Sequence, residues 1–413
     1  MLPSPTRRPG ALLLFCLLCC GFSTGVRAQW APQADSIFGP YFAVQTLQAT
    51  DSNTVWAGAS TSFYSTVPTL RPWIIRTTDG GANWQYDTIP NTAGYLTGSI
   101  AALDANTCWA SLIWFDDPNR HRLYRTNDGG QSWQLQLEDR SAGSIVHFFD
   151  PLNGVAVNRN YYRYTTDGGT SWSGEGSFAL SDSTLYLPLA GSYDALGDTI
   201  WATTVYQKLA RSTDKGHTWE LIDLSFLGND DIISMISFTD GQNGMAASPY
   251  YFYAPRFFTT ADGGLTWTQI TPPPPVAGEV ATVEAVEAIP GKPGWYVVQC
   301  SDFNLNIAQT WLTMDSGASW SLKGEEPALN YGGFAVDFVS ERHGWVGLGG
   351  FGPEDACIYH WNTPIGLKGE NPSNATHRVG IGRPETGNPV PPSRRGLPAT
   401  KINQGGHATN AGH

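Results

Sequence analysis

The feature that most constrains this chain is one turn written six times at near-constant intervals. The first copy runs from Arg76 to Trp84, and the others run Thr126 to Trp133, Thr165 to Trp172, Ser212 to Trp219, Thr260 to Trp267 and Thr313 to Trp320; all read S/T-x-D-x-G-x-x-W. The aspartates Asp79, Asp128, Asp167, Asp214, Asp262 and Asp315 are therefore 49, 39, 47, 48 and 53 residues apart. A period of about 40 to 50 residues built from short strands is the pattern of propeller blades. Within each box the Asp accepts backbone N–H groups of a tight turn and the Gly positions admit positive φ. The box tryptophans Trp84, Trp133, Trp172, Trp219, Trp267 and Trp320 each bring a large apolar surface to bury between neighbouring sheets. An active site needs one or two positioned carboxylates rather than one per repeat, so the six aspartates read as structural.

Between the boxes runs a second signal: an apolar strand, a turn of Asp, Asn and Gly, then a strand opening with Trp or another apolar residue. Its copies begin at Asp51, Asp104, Asp150, Asp198, Asp240, Gly291 and Ser340, seven against six boxes. No segment carries a sustained 3.6-residue apolar stripe, so the chain is expected to be all-β. The count is reconciled if the two ends share a blade. Trp30 lies 26 residues before Trp56, as Trp84 lies 25 before Trp109, and Tyr359 follows Trp345 by 14 residues as Tyr124 follows Trp109 by 15. The expected architecture is one seven-bladed β-propeller of four-stranded blades over residues 29–365, about 48 residues per blade, closed by the N-terminal strand. Alternating strand direction puts the boxes and the Asp/Asn/Gly turns on one face and the variable loops on the other.

Composition bounds the setting. Arg7 and Arg8 precede the apolar run Ala11 to Gly21, and Val26-Arg27-Ala28 offers a small-residue cleavage site, so residues 1–28 read as a secretory signal peptide and the mature chain as secreted, periplasmic or at the cell surface. Leu17-Leu18-Cys19-Cys20 faintly resembles a lipobox. No later stretch is long and apolar enough to span a membrane. Removal of the signal leaves Cys108, Cys300 and Cys357, whose spacing matches no zinc or redox pattern, and which leave room for one unassigned disulfide. The net charge is −12, but residues 29–365 hold 15 basic and 34 acidic side chains, which argues against nucleic acid or anionic lipid as partner. Residues 366–413, rich in Pro, Gly, Asn and Arg and poor in large apolar side chains, read as a disordered tail. Asn374-Ala375-Thr376 is a glycosylation sequon, and Glu370 to Asn374 faintly resembles the opening of a type IX sorting domain.

The six boxes resemble the Asp-box, or bacterial neuraminidase, repeat. Their regular spacing with a Trp-led strand in each interval is most similar to the photosystem II assembly and stability factor family of seven-bladed propellers, a likeness that covers residues 29–365. It implies the propeller and a binding role. Sialidases share the box but need an Arg-Ile-Pro segment, which is absent; Ala254-Pro255-Arg256 has the wrong order. Asp-box endoglucanases and sortilin-type receptors carry such boxes in larger or paired propellers.

Two function classes remain. The variable loops carry Phe63, Tyr64, Trp114, Phe115, Asp116, Asp117, Tyr161, Tyr162, Tyr250, Tyr251, Phe252, Tyr253, Phe303 and Phe351. Aromatic side chains with acids on a rigid ring suit a non-catalytic scaffold that holds a protein, peptide or glycan, with Tyr64, Trp114, Phe115, Asp116, Asp117, Tyr161, Tyr251 and Tyr253 as the binding candidates. The alternative is a secreted glycoside hydrolase, which needs two carboxylates about 5 to 10 Å apart. Its candidates are Asp116, Asp117, Glu279, Glu284, Glu287, Glu354 and Asp355, and adjacent residues such as Asp116 and Asp117 seldom aim at one bond from two sides. A cell-surface structural protein without a small ligand is a third reading. The eight His show no ligand spacing, no nucleophile elbow or phosphate loop occurs, and no catalytic residue, cofactor or metal is assigned. A monomer is expected.

Overall fold

The computed structural model describes residues 30–33, 42–61, 70–114, 117, 120–158, 161–178, 192–204, 207–227, 232–248, 255–274, 282–302, 307–326, 333–348 and 358–366. Residues 1–28, expected from sequence to be a signal peptide, Cys357 and residues 367–413, expected to be a disordered tail, lie outside the described residues. Cys108 and Cys300 are both buried and free.

Strand formation follows from the alternation of apolar runs and Asp/Asn/Gly turns. Seven antiparallel sheets of four strands result, and in six of them chain order equals spatial order. These are blades 1 to 6, at residues 42–88, 95–139, 145–177, 193–223, 235–270 and 282–326. The first strand of each is innermost and packs against the first strands of neighbouring blades around the axis. The second strand is sandwiched between blades and buried on both faces: Cys108–Trp114 is buried except at its last residue, and Gly154–Asn158 throughout. The fourth is at the rim and polar, as in Gln85–Thr88. One 3-10 turn, Ser225–Leu227, is the sole helical element among the described residues.

Blade 7 is built from both ends of the chain. Gly333–Ser340, His343–Leu348 and Ile358–Trp361 supply its three inner strands, and Ala31–Pro32 pairs outside them, with Ala31 opposite His360 and Pro32 opposite Tyr359. Trp30 anchors this closing strand. Its ring meets Phe338 edge-on at 5.9 Å, as Trp172 meets Phe148 at 6.2 Å and Trp267 meets Phe238 at 6.1 Å, so Trp30 fills the place that a box tryptophan fills elsewhere. It also meets Trp361 at 5.4 Å, and its indole N–H donates to Thr310 Oγ1 of blade 6 at 2.8 Å.

Packing between blades is aromatic. Trp109 of blade 2 stacks on Phe148 of blade 3 at 3.5 Å, and Trp201 of blade 4 on Phe238 of blade 5 at 3.8 Å. Among the described residues the apolar side chains gather in seven clusters, and each is shared by two adjacent blades. Every box tryptophan joins the cluster on the side of the preceding blade, Trp84 packing with Trp345 and Ile358 of blade 7 and Trp133 with Trp56 of blade 1.

Because Trp30 is 3% exposed and ties blade 7 to blade 6, Trp30→Ala is expected to cost about 3–5 kcal/mol in urea unfolding. Leu152→Ala, at a position 57% exposed, is expected to stay within about 0.5 kcal/mol of the parent chain.

Candidate functional site

Three groups of residues on this scaffold could carry function: the box turns, the side chains around the axis, and the loop face. The box turns share one hydrogen-bond pattern. In the first, Asp79 Oδ1 accepts from Thr77 Oγ1 at 2.8 Å and from Asn83 N at 2.8 Å, while Thr77 Oγ1 accepts from Gly81 N at 3.0 Å. The other five repeat it, from Asp128 with Thr126 and Ser132 to Asp315 with Thr313 and Ser319. The first glycine position needs positive φ; Lys215 at 58° and Ser316 at 55° stand there in the fourth and sixth boxes, where Gly80 has 69°. Its N–H donates to the neighbouring inner turn, as from Gly80 to Asn53 O and from Lys215 to Asp198 O, both at 2.9 Å. Boxes and inner turns thus lie on one face. The Ser hydroxyl and N–H donated by Ser132 and Ser171 hold the carboxyls of Asp128 and Asp167 down to about 2. With both oxygens engaged, these carboxylates are turn fasteners. Of the box indoles, Trp219, Trp267 and Trp320 donate to Gly216 O, Gly264 O and Thr271 O, each at 3.0 Å.

An arginine just before the box extends the pattern and was not singled out from sequence. Arg76 lies over Trp56 at 5.2 Å and reaches Ala105 O of blade 2. Arg125 lies over Trp109 at 4.8 Å and donates to Gly168 O of blade 3 at 3.0 Å, and Arg211 donates to Gly263 O of blade 5 at 2.8 Å. Tyr164 takes this place in blade 3 and stacks on His217 of the next box at 4.1 Å. The signal that would have found them is an Arg directly preceding the S/T of the box in three of six copies.

Around the axis lies a layer that only ring closure creates. Gln48, His147, Asp194, Ser237, Glu287 and Asp337 occupy matching positions on six innermost strands, opposite Trp56, Val155, Trp201, Met245, Val297 and Trp345. Most of them accept a main-chain N–H from the next blade. Gln48 accepts from Ala102 at 2.7 Å, Asp194 from Phe238 at 2.6 Å, Ser237 from Ala288 at 2.9 Å and Asp337 from Ala49 at 2.7 Å; Glu287 accepts from Phe338. The three acids are half-buried, with enough protein around them to disfavour their charge. Burial, only partly offset by the N–H donors of Phe238 and Ala195, raises the Asp194 carboxyl to about 6. Burial and mutual repulsion push Glu287 and Asp337 up as well. His147 moves the other way, down to about 4, because burial disfavours its cation.

Glu287, a sequence candidate for glycosidic chemistry, is therefore a ring-linking acceptor on the axis. Glu284 sits where the innermost strand of blade 6 breaks register and accepts from Thr282 Oγ1 at 2.9 Å. Among the described residues no group of three or more His, Cys, Asp or Glu is placed to hold a metal ion.

On the loop face, Trp114 ends the second strand of blade 2 and lies edge-on to the buried Tyr95 at 4.8 Å, with the exposed Arg120 guanidinium over it at 4.8 Å. Asp117 is exposed in the same loop, its carbonyl accepting from Arg120 N at 3.0 Å. Tyr161, at the start of the third strand of blade 3, lies under Arg140 at 4.0 Å, and Arg140 is itself paired with Glu175 at 2.6 Å. The two aromatic–guanidinium pairs flank blade 2. The neighbouring Tyr162 points the other way and packs with Phe178 and Trp219. Tyr64, Phe115, Asp116, Tyr251 and Tyr253, like Glu279, Glu354 and Asp355, lie outside the described residues.

These features define a seven-bladed β-propeller with a fastened box face and an aromatic loop face. No family model matches the chain, and no curated protein matches it. Among solved structures, YCF48 bound to a D1 peptide is similar at a TM-score of 0.57 and 14% identity, over 81% of this chain and 97% of that one. YCF48 from Cyanidioschyzon merolae is similar at 0.57 and 13%, over 80% and 99%. The GH74 xyloglucanase from Xanthomonas campestris is similar at 0.54 and 14%, over 81% of this chain but 53% of that one, so this chain spans about half of that enzyme. At these identities the likeness is one of fold. Among the described residues no helix is long and apolar enough to cross a membrane.

The axial carboxyls make stability depend on pH in a direction that can be tested. A carboxyl raised by folding stabilises fully below its unfolded value near 4 and loses that contribution as pH rises through its folded value. His147 and His360, both lowered to about 4 by burial, act oppositely between about 4 and 6.5, so the single-site difference is the clean measurement. Asp194→Asn keeps an acceptor for Phe238 N without the charge. Its melting temperature relative to the parent chain is expected to climb from pH 4 to pH 7 and then level off.

Proposed function

We propose that this chain is a non-catalytic propeller scaffold, exported to the cell surface or periplasm, which holds a protein or peptide segment on its loop face. The observation that carries this reading is the pair of aromatic–guanidinium contacts flanking blade 2. Trp114 under Arg120 and Tyr161 under Arg140 offer flat apolar surface beside hydrogen-bond donors, on side chains already fixed by packing. Such preordered aromatics bind a segment with little further loss of rotamer freedom. A fold-level neighbour, YCF48, has been solved with a D1 peptide bound, which supports a peptide as the class of ligand for a ring of this shape. The glycoside hydrolase alternative has a fold-level neighbour of its own in the GH74 xyloglucanase, but no carboxylate pair among the described residues is placed for it. Glu287 and Asp337, the acids with the most raised carboxyls, spend an oxygen on the backbone of the next blade.

The test is affinity capture from the native envelope fraction using the mature chain as bait. Protein partners recovered by the parent chain are expected to be lost, or weakened at least about ten-fold, by Trp114→Ala with Tyr161→Ala. Equal recovery by the double variant at an unchanged melting temperature would remove this reading.

A further inference from the structure

We infer that the junction between blades 1 and 2 carries, at the rim on the box face, a binding site for one neutral pyranose unit of a glycan. The inference starts from how the other box junctions are filled. The second glycine of each box is covered by a side chain of the preceding blade. Gln33 lies over Gly81, Gln136 over Gly169, Val155 over Gly216, Leu209 over Gly264 and Ile270 over Gly317, so closely that a Cβ at any of these glycines would collide. At Gly130 a Cβ would meet nothing nearer than Trp56 at 3.7 Å.

Val155 and Leu209 reach their glycines from a second and a third strand, while the other three plugs share one position. Gln33, Gln136 and Ile270 each stand three positions after a box-type tryptophan, and the residue at that position in blade 1 is Asp87. A carboxylate gains nothing by lying over a glycine and two indoles, so Asp87 stays exposed and accepts from Thr88 N at 2.7 Å. The gap it leaves is a cleft of about 200 Å³ between the outer strand of blade 1 and the box of blade 2.

Its lining selects the ligand class. The half-buried indole of Trp133 presents aromatic surface, whereas Tyr86 turns to the other face of its strand, against Trp73 at 5.9 Å. Gln85 and Gln131 offer the complementary halves of their amides. The Gln85 carbonyl accepts from Arg76 Nη2 at 2.7 Å, which leaves its NH2 to donate, and the Gln131 amide donates to Asp128 O at 3.0 Å, which leaves its carbonyl to accept. Asp87 adds a further acceptor. Aromatic surface for the C–H face of a sugar, with donors and acceptors at the edge for vicinal hydroxyls, is what a pyranose ring requires. The carboxylate of Asp87 disfavours an anionic sugar, and Arg76, already tied to Gln85 and Ala105 O, disfavours a cationic one. Pockets for drug-sized ligands run to about 300–1,000 Å³, so this cleft holds one ring and lets a chain continue into solvent along the rim.

The site lies on the opposite face from the loop aromatics and stands or falls separately from the peptide-binding reading. The test is affinity gel electrophoresis of the mature chain in gels containing β-glucan, xylan, mannan or dextran. At least one of these neutral polysaccharides is expected to retard the parent chain. Asp87→Ile, which copies the Ile270 plug, is expected to weaken retardation at least about ten-fold, and Gln131→Ala, which removes an edge acceptor, about five-fold, both at an unchanged melting temperature. Trp114→Ala is expected to leave it unaltered. Retardation by none of the four, retention of full binding by either cleft variant, or loss of binding in Trp114→Ala would each overturn the assignment, and the last would move the glycan to the loop face.

Discussion

No blade in this ring covers its own faces. The second strands are buried on both sides, and each of the seven apolar clusters belongs to two blades at once, so contact between neighbours is the interaction that everything else serves. A chain of such units would leave two exposed apolar faces if it stayed open. Closure removes them, and here it rests on a strand of two residues, Ala31–Pro32, which is too short to hold by its ladder alone. Trp30 makes up the difference by engaging Phe338, Trp361 and Thr310 together, which spans blades 6 and 7 with one side chain.

The same need explains why polar groups collect where they do. The box aspartates fasten turns within a blade, the arginines before the box reach the backbone of the next one, and the axial side chains do the same at the inner wall. Asp and Ser meet that N–H in blades 4, 5 and 7, and the longer Gln48 and Glu287 reach it in blades 1 and 6. Using acids in three of these positions stores repulsion along the axis. It is relieved by keeping protons on the carboxyls, as the upward shifts of Asp194, Glu287 and Asp337 record.

Much of this was legible in the sequence, for a physical reason. Repetition amplifies whatever each blade needs, so the box residues, the inner turns and the stand-in role of Trp30 could all be read from spacing. Features that arise only when the ring closes were not. Asp194, Glu287 and Asp337 look like unrelated acids in three apolar strands, because the contact that unites them runs through space between strands about 50 to 150 residues apart. Glu287 accordingly drew a catalytic reading that its hydrogen bond to Phe338 N does not favour. Tyr161 and Tyr162 show the limit at single-residue scale: strand alternation sends them to opposite sides, one under Arg140 and the other against Trp219.

A repeat protein can acquire function wherever one copy departs from the others, since the shared positions are already committed to packing. The junction of blades 1 and 2 departs twice. On the box face Asp87 replaces a plug and leaves Gly130 uncovered; on the loop face Trp114, seated on Gly94, carries Arg120 outward. Both changes expose aromatic surface while leaving intact the cluster of Trp56, Ile74 and Ile100 between them. That cluster keeps the two openings apart, so a ligand on one face meets a wall of buried side chains rather than a channel to the other. Each opening is therefore free to take a ligand of different chemistry without disturbing the contact that closes the ring.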